Sequence, residues 1–164
     1  HKKQDKRPII FENLSDKYKN YKTAGRLDYN SEGLLILSSD GEITRELELP
    51  KNKFERKYEV IITGNFKRDN LQSISSGIKI KNILYKPFKY SIKSNKKNSV
   101  ILELILIEGK NREIRKLMEY IKLKVKKLKR TEYGPFKLND LKPGEIHSAT
   151  KSEIKNYLNN KKIW

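Results

Sequence analysis

SVILELILIEGKNREIRKLMEYIKLKVKKLKR (99–130) changes its hydrophobic period twice. Ser99 to Ile107 is an apolar run broken only by Glu103, which reads as a strand. Asn111 to Lys122 reads as a helix, because Ile114, Leu117, Met118 and Ile121 recur at i, i+3, i+4 and i+7. Leu123 to Arg130 returns to alternation, with Leu123, Val125 and Leu128 inward and a strongly basic outer face. Strands and helices are thus interspersed without the regular βαβ order of a doubly wound fold. The expected class is α+β with a mostly antiparallel sheet.

Working outward, Lys57 to Thr63 is a second alternating strand, with Tyr58, Val60 and Ile62 on one face and Lys57, Glu59 and Ile61 on the other. Gly64 ends it. Gly33 to Leu37 reads as a strand buried on both faces, closed by the turn Ser38-Ser39-Asp40-Gly41. A short helix over Glu42 to Leu49 stops at Pro50. Asp69 is expected to cap a helix through Leu71 and Ile74, with Gly77 at C′. Residues 78–93 add further strands, and Lys96-Lys97-Asn98 forms a hairpin tip before Ser99. Gly134-Pro135 and Pro143-Gly144 are turns, and Thr150 with Glu153 makes a capping box for a last helix with Ile154, Tyr157 and Leu158 inward. Residues 1–24 read as an irregular lead-in with one apolar patch, Pro8-Ile9-Ile10-Phe11. The abrupt start at His1-Lys2-Lys3 points to further sequence upstream, with His1 as a tag remnant.

At 164 residues the chain fits one well-filled core, and therefore one catalytic or binding domain. Its 38 Lys and Arg against 20 Asp and Glu give a formal charge of +18. Such a surplus asks for a polyanion, nucleic acid first and an anionic membrane second, although a lysine-rich composition alone also coats every solvated face with cations. No run approaches the ~20 apolar residues of a membrane-spanning helix. With no cysteine and only two histidines, His1 and His147, thiolate metal sites, disulfides and an ordinary zinc site are excluded. An intracellular, metal-independent protein without a cofactor is expected.

Three groups of residues carry possible chemistry. In an extended Arg26-Leu27-Asp28, the charged pair shares one side and Leu27 points to the core. Spacing alone fits a structural ion pair as well as a nucleophilic or electrostatically active carboxylate. Glu108-Gly109-Lys110-Asn111-Arg112-Glu113-Ile114-Arg115 places cations and an amide where a strand gives way to a helix. Helix N-termini attract phosphate, and Arg115 flanks the apolar stripe so that it can reach inward; a solvated helix start has the same pattern. Tyr58 lies on an apolar strand face, as a core tyrosine does, and at a pocket edge it would stack on a base. No Ser/His/Asp set and no phosphate loop is present.

"GRLDYNSEGLLILSSDG" (25–41), "FERKYEVIITG" (54–64) and "EGKNREIRKLMEYIKLKVKKLKRTEYGPFKLNDLKPGEI" (108–146) resemble, in order and spacing, the pseudouridine synthases of the ribosomal small-subunit type, over nearly the whole chain. "EGKNREIR" and "LKPGE" lean toward the branch acting on a large-subunit hairpin. The resemblance implies a mixed, largely antiparallel sheet with flanking helices and a basic cleft, and a chain that is the catalytic domain throughout, residues 1–164. It places the catalytic aspartate on Asp28, the active-site tyrosine on Tyr58, and the basic partner of the carboxylate on Arg115. Members of that branch usually begin with an S4-type RNA-binding domain and a first core strand with a Lys-Pro-x-Gly-like element. Neither is found here, and "RPIIFENL" (7–14) looks like the segment just after that strand.

The implied activity is isomerisation of a uridine in ribosomal RNA to pseudouridine, with the target flipped out of its helix at roughly a few kcal/mol. Arg26, Lys57, Lys110, Asn111, Arg112 and Arg130 are the candidates for phosphate or base contacts. The implied partner is ribosomal RNA or a pre-ribosomal particle, met by a monomer in a bacterial-type cytoplasm or, in a eukaryote, an organelle. The competing readings are a non-catalytic rRNA-binding or ribosome-assembly protein of the same fold, and a generic basic nucleic-acid-binding module.

Overall fold

The computed structural model of the protein describes residues 10–12, 14–96 and 99–161. Residues 1–9, with His1 and with Pro8-Ile9 of the apolar patch, and Lys97-Asn98 of the hairpin tip lie outside the described residues. In chain order the elements are β1 (Lys22–Ala24), β2 (Glu32–Gly33), β3 (Ile36–Ser38), α1 (Gly41–Glu48), β4 (Arg56–Thr63), α2 (Arg68–Ser75), β5 (Ile78–Ile80) and β6 (Ile83–Tyr85). They continue with β7 (Lys89–Lys96), β8 (Ser99–Leu106), α3 (Glu113–Tyr120), β9 (Lys124–Tyr133), β10 (Phe136–Lys137) and α4 (Lys151–Lys161).

The main sheet runs β10-β9-β4-β8-β7, antiparallel throughout, with β2 added in parallel to β9. The class is therefore α+β, as the alternation of periods predicts. β8 shows the reason most plainly. Val100, Leu102, Leu104 and Leu106 are buried while Ser99, Ile101, Glu103 and Ile105 are half-buried on the opposite face. On the buried face they meet Val60 and Ile62 of β4, Leu128 of β9, Leu71 and Ile74 of α2, and Ile114, Leu117 and Met118 of α3. Each such side chain contributes roughly 1.5–3 kcal/mol by leaving water. The opposite face is mixed, with Ile61, Ile101 and Ile105 among charged side chains, and carries the ion pairs Lys57–Glu132 (3.0 Å) and Lys93–Glu103 (3.4 Å).

A second core gathers Ala24, Leu34, Leu47, Phe54, Tyr133, Phe136, Leu138 and Tyr157. It joins β1, α1, the far end of β9, β10 and α4. The Thr150–Glu153 capping box forms as the spacing predicts, Glu153 N–H donating to Thr150 Oγ1 (3.2 Å) and Thr150 N–H to Glu153 Oε2 (2.8 Å).

Several expectations are corrected. The strand from Gly33 to Leu37 is broken in two: Gly33 ends β2, Ile36 opens β3, and β3 pairs with β1 instead. The cause is close approach, because Gly33 has φ +108° and lies so near β9 that a Cβ would stand 2.2 Å from the Arg130 carbonyl oxygen. Residues 22–24 of the lead-in are strand, not irregular, and 3₁₀ turns occupy Ile10–Glu12 and Asp16–Tyr18. The N-cap of α2 is Lys67, with Asp69 inside the first turn, whereas Gly77 does follow the C-cap, Ser76. α3 is shorter than 111–122, since Arg112 has φ +51° and cannot continue a right-handed helix. In α4 only Tyr157 is inward; Ile154 and Leu158 are 46% and 47% exposed. Among the described residues no helix is long and apolar enough to cross a membrane, and no cluster of His, Asp and Glu is arranged to hold a metal.

Candidate active site

A cavity of about 480 Å³ opens against Leu106, Ile114 and Leu128 of the first core. Its walls come from the 25–31 loop, the ends of α1, β4 and β8, the 108–114 segment and β9. That volume is within the ordinary range for a small-molecule or nucleotide site.

Strand register explains which side chains face it. Tyr58 on β4 is paired with Arg130 on β9 and with Leu104 on β8; Arg56, two residues earlier, is paired with Tyr133 and Leu106. Arg130 and Tyr133 are three apart, so in a regular strand they would face opposite ways. A bulge between Lys57 and Tyr58 inserts one extra residue in β9 and brings both to the same face. Lys57 and Glu132 are left on the other face, joined by their ion pair.

The loop carrying Arg26, Leu27 and Asp28 is braced by one internal hydrogen bond and by two to its surroundings. Gly25 N–H donates to Glu48 Oε1 (2.6 Å), Ser31 N–H donates to the Asp28 carbonyl (2.8 Å), and Arg115 Nη2 donates to the Asn30 carbonyl. Arg115 Nη1 also donates to the Val125 carbonyl of β9 (3.2 Å). Leu27 does not enter a core as expected; it is half-buried and lines the cavity. Arg26 and Asp28 line it as well, so all three side chains of the triplet meet the cavity, in a segment without regular structure.

Of the predicted residues, Arg26, Asp28, Tyr58, Lys110, Asn111, Arg112 and Arg130 meet around this one cavity. Lys57 and Arg115 do not line it. Arg115 makes no ion pair with Asp28 among the described residues, and instead ties the turn that carries Asp28 to β9 through two carbonyls. Burial, and then Arg112, hold the Arg115 guanidinium below its ordinary value, and the charge of Asp28 acts in the opposite direction. Arg130, a candidate for phosphate or base contact, is 2% exposed; its Nε donates to the Leu34 carbonyl (2.8 Å), and Leu34 N–H returns a bond to the Arg130 carbonyl (2.8 Å).

Arg56 and the carboxylates Glu48, Glu108 and Glu113 also line the cavity and were not singled out from the sequence. A signal for Arg56 exists, since period 2 puts it on the face of Tyr58. Burial lifts Glu113 to about 7, with the Lys110 N–H opposing and Glu108 adding to the rise. Glu108 is also pulled up by burial, but Lys110 and the Lys86 N–H (2.9 Å) outweigh this and its value ends below the ordinary one.

Because folded Glu113 keeps its proton up to about pH 7 while the unfolded chain releases it near 4.5, the folded state binds more protons in that window. Stability therefore falls as pH rises from about 4.5 to 7, by roughly 3 kcal/mol from this group. Glu113→Gln keeps an acceptor for the Lys110 N–H and is expected to be more stable than the parent at pH 8, with a flatter profile. Urea midpoints at pH 5 and pH 8 check this, and an unchanged slope would sink it.

Residues 1–120 match the RNA pseudouridylate synthase family. The chain belongs to that family. A pseudouridine synthase of Rickettsia bellii is 46% identical over 157 residues, which cover 94% of this chain and 67% of the relative. The ribosomal large subunit pseudouridine synthase B of Bacillus subtilis is 35% identical over 133 residues, or 80% of this chain and 54% of that protein. Across these matches the chain spans about half to two thirds of the relatives' length. Among solved structures, a pseudouridylate synthase crystal structure superposes with a TM-score of 0.83 at 25% identity, covering 92% of this chain and 65% of that one. The pseudouridine synthase fold is thereby established, and the α+β sheet described above is its central element.

Proposed function

We propose that the cavity is the catalytic site of an rRNA pseudouridine synthase, with Asp28 as the reacting carboxylate. The observation that carries this reading is the convergence of Asp28 and Tyr58, 30 residues apart in sequence, with Arg26, Lys110 and Arg112 around one nucleotide-sized space in a chain of this family. The similarity to a large-subunit synthase supports ribosomal RNA as the substrate.

The reaction breaks C1′–N1 and forms C1′–C5; the C5 proton leaves, N1 gains one, and no redox change occurs. Asp28 serves it either by attack on C1′ or by removal of a ribose proton, both using the same carboxylate. Tyr58, half-buried beside Leu104 and Leu106, offers a ring face for the uracil and an OH near the C5 proton. Arg115 acts at one remove, as a positioning residue that fixes the Asp28 turn through the Asn30 carbonyl. Reaching the target requires the uridine to leave its helix, and the cations at the rim offset that cost through the flanking phosphates.

The test is incubation with unmodified rRNA tritiated at uracil C5. Release of tritium to water is expected. Tight RNA binding with no release would instead indicate a binding protein of the same fold.

A further inference from the structure

Arg56 and Arg130 are 6% and 2% exposed, and among the described residues neither has a carboxylate partner. Their hydrogen bonds go to neutral oxygens. Arg56 Nη2 donates to the Leu47 carbonyl (3.1 Å) and the Tyr133 hydroxyl (2.7 Å), and Arg130 Nε to the Leu34 carbonyl (2.8 Å). Both guanidiniums lie against one ring, 4.5 Å and 4.9 Å from the centroid of Tyr133. Arg130 Nη2 is buried with no partner at all. A cation withdrawn from water is favourable only against opposite charge or a complete set of hydrogen bonds, and carbonyls with a ring face supply part of that set.

Both side chains line the cavity. The carboxylates that share it are engaged elsewhere: Glu48 by Gly25 N–H, Glu108 by Lys110 and Lys86 N–H, Glu113 by Lys110 N–H. Asp28 is assigned to the chemistry. The unmet demand is for an anion that arrives with the ligand.

We propose that Arg56 and Arg130 form an anion subsite that takes a phosphate of the nucleotide held in the cavity. The proposal rests on the reading of the cavity as a uridine site and adds to it a grip separate from the rim cations. Planar guanidinium donors match phosphate oxygens two at a time, which a lysine cannot do.

The experiment compares uridine, 3′-UMP, 5′-UMP, guanosine and GMP by NMR titration against the protein, Arg130→Met and Arg56→Met. At least one uridine monophosphate is expected to bind about tenfold more tightly than uridine, with the gain lost in either variant and uridine affinity kept. Arg130→Gln, which keeps a donor for the Leu34 carbonyl, replaces Arg130→Met if circular dichroism shows the latter unfolded. Equal binding of uridine and its monophosphates overturns the proposal. So does a phosphate gain that survives in both variants, since the phosphate would then sit on Lys110 and Arg112. An equal gain for GMP over guanosine with no preference for uridine would support the anion subsite and remove the uridine reading. Uridine preference with no phosphate gain would do the reverse.

Discussion

Asp28→Asn lowers tritium release from C5-labelled rRNA by at least roughly four orders of magnitude, the scale on which enzymes lose a group that reacts directly. RNA binding and thermal midpoint are expected to stay near the parent's. The geometry separates the two effects: the turn uses the Asp28 carbonyl, which accepts from Ser31 N–H, and Arg115 holds Asn30 through its main chain. Among the described residues the carboxylate itself accepts no hydrogen bond and forms no ion pair, so asparagine keeps the shape and removes the charge. Parallel release and binding assays check it. Release within tenfold of the parent would move the chemistry off Asp28.

Gly33→Val is the largest expected stability effect. A Cβ at this position would stand 2.2 Å from the carbonyl oxygen, 2.6 Å from the nitrogen and 2.9 Å from the carbonyl carbon of Arg130, all main-chain atoms of a strand bonded on both sides. No rotamer relieves that contact, and φ +108° is itself adverse to a β-branched residue. A loss of about 3–5 kcal/mol follows, seen as a fall of roughly 10 °C in thermal midpoint for a chain of this size. A midpoint within about 2 °C of the parent's would mean that β2 does not sit so close to β9. The same change disturbs the site, because the Leu34–Arg130 pair of hydrogen bonds immediately follows Gly33.

Gly33 also shows where reading the sequence reached its limit. Apolar continuity from Gly33 to Leu37 is the same whether the segment is one strand or two, and the break depends on a backbone contact with residue 130, far away in sequence. Long alternating elements were legible because their period is set by the core they face, as in β4 and β8. The segment 108–115 was legible as a site because its cations and amide stand out at a strand-to-helix junction, although the left-handed Arg112 shortened the helix. Arg130 was legible as a site candidate. Its burial follows from plain alternation, since Arg130 is two residues from inward Leu128; what nothing in Lys129-Arg130-Thr131-Glu132-Tyr133 announces is the bulge that turns Tyr133 to the same face. Lys57 lies on the far face of the strand from Tyr58, as the alternation of β4 predicts, and so stands outside the cavity. Ile154 and Leu158 have helical spacing, yet the surface under α4 takes only Tyr157, stacked on Phe54 at 6.0 Å.

β9 supplies Leu128 to one core and Tyr133 to the other, and beside it β4 supplies Val60 and Ile62 to the first while Arg56 bonds Tyr133 at the second. The two strands are therefore a shared spine, and main-chain amides along it exchange with solvent only through openings that release both cores together. Fraying of β1, β3 or α4 leaves that spine closed. Among the described elements the cavity floor is expected to open least often, while the loop bearing Asp28, joined to the elements around it through Gly25 N–H and the Asn30 carbonyl, opens far more often.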